Sequence, residues 1–102
     1  MSTALRNQEP VLPDPDETLT AEIVRLETAT ETMMAYIGYL NTQIHSEDDQ
    51  LNPNQAKIQA LQLQKNVLLE ERRAISSDTP DLIAKALYIY APIVKAIYKS
   101  HG

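Results

Sequence analysis

Leu19, Ile23, Leu26, Thr30, Met33, Ile37, Leu40 and Ile44 follow one another at alternating steps of four and three. That spacing keeps side chains on one side of an α-helix lying along another helix. It predicts a first helix over about residues 20–45. Thr20 is placed to cap it, Glu22 falls in the first turn where the macrodipole favours an acid, and Leu19 with Val24 has hydrophobic-staple spacing. Gly38 inside this helix costs about 1 kcal/mol relative to Ala. It marks either a neutral surface position or a place where another backbone comes close.

The polar run from His45 to Gln50 breaks the pattern and reads as a loop. Asn52 and Pro53 then open a second helix over 53–76, with Asn52 as N-cap, Pro53 at the first helical position and Gln55 as a capping-box partner. Two apolar stripes run along it. Ala56, Ala60, Leu63, Val67 and Ala74 form a small-residue stripe, and Ile58, Leu61, Leu68 and Ile75 a bulkier one. A helix with two stripes touches two neighbours, which predicts that this is the middle helix.

Thr79 and Pro80 open a third helix over 80–100 by the same logic, with Asp81 in its first turn. Its apolar arc, from Leu82 to Ile97, covers more than half the circumference, and Lys85, Lys95 and Lys99 share the narrow opposite face. Pro92 lies within it and deletes the hydrogen bond to the carbonyl of Tyr88, which predicts a kink.

Residues 1–18 read as a mobile tail rich in Pro and acids, with Pro10, Pro13 and Pro15 close together. Val11 and Leu12 are its adjacent apolar pair and make a short docking motif the other reading of this segment. Residues 19–102 then form one helical domain. Short connections make neighbours antiparallel, so the expected fold is an all-α, three-helix antiparallel (up-down-up) bundle with coiled-coil-like packing and a third helix kinked at Pro92. It carries more apolar surface than one bundle of this size uses. A homo-oligomer, most simply a homodimer, or a permanent protein partner is expected to cover the rest.

Composition narrows the classes of function. The 102 residues are 43% apolar with a net charge of −5, too apolar and too weakly charged for a wholly disordered chain. The acidic balance argues against a nucleic-acid partner. The absence of Cys excludes disulfide scaffolds and thiolate metal sites. The stretch from Leu82 to Tyr98 falls short of the ~20 residues that span a bilayer and contains two Lys. No signal-peptide pattern opens the chain, so a cytoplasmic protein is expected, with membrane an unfavoured partner. Charge is divided along the chain. Residues 1–50 hold two Arg against ten acids, net −8, and residues 51–102 hold seven Lys and Arg against four acids, net +3. Acidic helix one beside the basic face of helix three is the simpler account, and a Lys face meeting an acidic partner or a phosphate surface the sharper one.

No catalytic motif emerges. Gly38 and Gly102 are the only glycines, so there is no Gly-rich phosphate loop. The two His lie in the predicted loop and at the penultimate position, away from any nucleophile–base pairing. His45 with Glu47, Asp48 and Asp49 is the one metal-like cluster, and it lacks the Gly and distal Glu of a calcium loop. Lys65 and Arg72, between apolar positions of helix two, are the only candidates for an interior anion site, and long cations more often lie along apolar surface. No cofactor or metal is therefore expected. All five aromatics are Tyr, a residue enriched at interfaces. The expected function is a non-enzymatic helical interaction module: an inhibitor, immunity factor, adaptor or regulator. Its candidate partner-binding residues are Tyr36, Tyr39, Tyr88 and Tyr98, with Lys95 and Lys99 at the rim. A secretion-type chaperone or helical assembly subunit is the first alternative, and an amphipathic membrane-surface protein the second.

Overall fold

A computed structural model describes residues 15–101, with side chains from 18 to 100. The described residues form three helices and no strand. Helix α1 spans Pro15–Asp48. Helix α2 spans Gln55–Ala74. Helix α3 runs from Pro80 to His101 as two α-helical pieces, Pro80–Lys85 and Ala91–His101, joined by a π-helical turn, Ala86–Tyr90. The architecture is the expected all-α, three-helix bundle.

Helix α1 is longer than its seam predicts at both ends. Pro pre-sets the dihedral of a first helical turn, and Asp and Glu are favoured there, so Pro15, Asp16 and Glu17 open the helix instead of closing a tail. The rest of the predicted tail, residues 1–14, lies outside the described residues. At the other end, His45 to Asp48 are helical rather than looped. Glu47 is recruited by the next element: its carboxylate accepts from the Asn54 backbone N–H at 3.1 Å and faces Lys57 Nζ at 3.5 Å. This arrangement needs the helix to continue one more turn.

Helix α2 starts two residues later than predicted. Its N-cap is Asn54, whose Oδ1 accepts from the Lys57 N–H at 3.1 Å, so Asn52 and Pro53 belong to the connection. It ends where Ile75 turns extended and donates to the Glu71 carbonyl. Thr79 and Pro80 open α3 as expected, but the Thr79 hydroxyl turns back to Ser76 and makes no cap bond. Just before Pro92, where the sequence predicts a kink, the Ala91 N–H donates to the Ala86 carbonyl five residues back. This wider turn relieves the clash between a proline ring and the carbonyl four residues earlier.

The core consists of Ala29, Met33, Tyr36, Ile37 and Leu40 from α1, Leu68 and Ile75 from α2, and Ala86 and Tyr90 from α3. Five of these nine come from α1, and α1 packs against both other helices. The middle helix is therefore α1, not α2. The buried face of α1 is wide enough for two neighbours because Ala29 and Tyr36 extend the seam sideways. The bulky stripe of α2 faces α1, with Leu68 fully buried, while its small-residue stripe is exposed, Leu63 at 67% and Val67 at 53%. The first two seam residues of α1, Leu19 and Ile23, are also about half exposed.

Gly38 is exposed, and nothing lies within 4 Å of where its Cβ would be. No backbone approaches it, which removes the close-packing explanation. Gly38→Ala is thus expected to stabilise the fold by about 0.5–1 kcal/mol, the helix-propensity difference. A urea midpoint that fails to rise would show that something covers this position.

Candidate interaction surface

The three helices are tied together by one polar cluster before any outward surface is formed. Glu71 on α2 accepts from Lys85 Nζ at 2.6 Å and from the Tyr90 hydroxyl, both on α3. Lys85 also lies over the Tyr90 ring, 5.4 Å from its centroid. Tyr90 meets Tyr36 of α1 edge to face at 5.6 Å, and the Tyr36 hydroxyl accepts from Gln64 Nε2 at 2.7 Å. The hydrogen bond to Glu71 holds Lys85 above the usual lysine range. Burial, then the hydrogen bond to Glu71, pushes the Tyr90 phenol up. None of Glu71, Lys85 and Tyr90 lines either of the two clefts described below. Its chemistry is that of a clamp.

This clamp changes the standing of two expectations. Lys85 pairs with α2 and not with acidic α1. Tyr36 is only 7% exposed, because the seam of α1 turns it inward against Tyr90. It belongs to the core and not to a binding surface. Tyr39 is half-buried and lines a cleft of about 270 Å³ with Gly38, Thr42, Gln43, Ile97 and Tyr98. Tyr88 and Tyr98 are exposed, at 78% and 57%. Tyr88 lines a second cleft of about 290 Å³ between the start of α3 and Arg25 of α1. Lys95 and Lys99 are exposed, and neither makes an ion pair with another described residue. Four of the six candidate residues thus stay on the surface of α3, and Tyr88 and Tyr98 border separate clefts.

Lys65 and Arg72 are half-buried and border neither cleft. The Arg72 Nε is buried without a hydrogen-bond partner among the described residues.

The surface that residue patterns alone misassigned is the outward face of α2. Ala56, Ala60, Leu63, Val67 and Ala74 fall within about 60° of arc at 100° per residue, and every one of them is exposed. Their steps of four, three, four and seven are those of a helix–helix seam with one position, Glu70, polar. The signal was visible as a second stripe, but a stripe does not say whether its neighbour lies inside or outside the chain. No helix among the described residues is long and apolar enough to cross a membrane. No family model, curated protein or solved structure matches this chain.

Proposed function

We propose that this chain is a non-enzymatic, all-α interaction module of the cytoplasm that works as a homodimer and presents α3 to a protein partner. The observation that carries the reading is the uncovered seam on α2, with Leu63 and Val67 more than half exposed at its centre. A seam of this kind stabilises little until another helix covers it. Its own sequence suits a second copy. In an antiparallel pair centred near residue 65, Leu63 meets Val67 of the partner copy twice, Ala56 meets Ala74, and Ala60 meets Glu70. This reciprocity is what a two-fold interface requires. Ala at the outer positions allows helices to approach to about 8 Å. A parallel pair would instead stack Glu70 on its own copy, so charge favours the antiparallel one. Dimerisation through α2 leaves Tyr88, Tyr98, Lys95 and Lys99 free for an acidic protein partner.

Light scattering on a sizing column tests the assignment of the face. The wild-type chain is expected at twice 11.5 kDa, and Leu63→Glu/Val67→Glu at the single-chain mass with unchanged helical circular dichroism. A variant that stays as large as wild type would remove α2 from the interface.

A further inference from the structure

The cleft of about 290 Å³ at the start of α3 is built from Pro80, Ile83, Leu87 and Tyr88, with Glu22 and Arg25 of α1 on its rim. Arg25 is the only Lys or Arg between residues 7 and 56, and it makes no ion pair with another described residue. An open apolar floor beside an unpaired cation calls for an occupant that is apolar and acidic. The chain carries one next door. Helix α1 begins at Pro15, seven residues or about 10 Å along the helix from Glu22. Residues 11–14 extended reach at most ~13 Å, so a chain that doubles back at Pro15 brings Val11 and Leu12 to the cleft. These two are flanked by Glu9 and Asp14. Their seven side-chain carbons, at roughly 30 Å³ apiece, comparable to a liquid water, are of a size with the cleft.

We propose that residues 9–14 of the same chain occupy this cleft, with Val11 and Leu12 against Ile83, Leu87 and Tyr88 and the acids of the segment beside Arg25. The segment and an acidic protein partner then compete for Tyr88. This docking is independent of the α2 seam and stands whether or not the chain dimerises.

The absence of Cys makes a single nitroxide at Asn7→Cys unambiguous. Nitrogen-15 spectra of the labelled full chain are expected to lose intensity at Arg25, Ile83, Leu87 and Tyr88. That loss should vanish when Val11→Asp and Leu12→Asp are added. A loss confined to the first turns of α1 would overturn the proposal. So would a loss that appears only when the nitroxide and the nitrogen-15 are on different chains, which would assign the cleft to a second copy. Shifts of the same cleft resonances in the unlabelled Val11→Asp/Leu12→Asp chain are the second expected result. Their absence contradicts the docking even if the spin label itself perturbs the segment.

Discussion

Replacing Leu68 with Ala is expected to lower stability by about 2–5 kcal/mol, the range for deleting a fully buried Leu side chain and leaving its cavity partly open. Leu68 is 1% exposed and is the deepest contribution of α2 to the core. Met33 and Leu40 of α1, in the same core, are equally buried, and α1 is held from both sides, so the site has little freedom to collapse. In a domain of this size the melting temperature falls by several degrees for each kcal/mol lost. Leu63→Ala on the opposite stripe is the informative comparison. Its loss should depend on protein concentration, because it acts through association, whereas the Leu68→Ala loss should not. A concentration-independent loss at Leu63 that exceeds the loss at Leu68 would mean α2 is packed through its other stripe.

Glu71→Ala is expected to cost about 2–4 kcal/mol and to loosen α3 specifically. The carboxylate serves two donors, and hydrogen bonds to charged groups contribute about 1.5–3 kcal/mol each. The Lys85 side chain is 39% exposed, so solvent screens its share and the smaller end of that range applies to it. The larger loss comes from the Tyr90 hydroxyl, left without its acceptor in a residue only 9% exposed. Glu71→Gln keeps a carbonyl for Tyr90 and should lose less. Denaturant titrations, with amide exchange along Ala86–Tyr90, separate these outcomes, and equal stability of all three chains would deny the clamp.

The same cluster sets an alkaline limit. Lys85 and Tyr90 both have raised pKa values in the folded chain, so the folded state keeps protons that the unfolded state has given up. Their stabilisation is complete below the unfolded values near pH 10 and declines as pH rises through the folded ones. Glu71→Gln should flatten the Lys85 part of that decline, since the bond to Glu71 is its leading cause. The Tyr90 part, led by burial, should remain.

Periodicity made the helices legible because it reports which side of a helix avoids water. It placed Met33, Ile37 and Leu40 in the core and marked Thr79–Pro80 as a helix start. It did not report the far side of each contact. The two stripes of α2 suggested two neighbours in one chain, whereas one stripe meets α1 and the other meets solvent. Which helix lies in the middle depends on how wide the buried face of α1 is, and Tyr36 decides that through its contacts with Tyr90 and Gln64. Those contacts join residues far apart in sequence, so local spacing could not reveal them. Capping chemistry has a similar limit: Asn52 and Asn54 are equally good caps by type, and Glu47, seven residues before Asn54, selects the second. The exposed positions of Lys95 and Lys99 agree with the narrow polar face of α3, but Lys85 shares that face and reaches Glu71 of α2, a pairing that spacing along one helix could not reveal.

The central claim is that a second copy covers the seam left open on α2. Sedimentation of the purified wild-type chain over a wide dilution series tests it most directly. A single species near twice 11.5 kDa that persists into the low-concentration range is the predicted result. A single-chain mass at every concentration would contradict it.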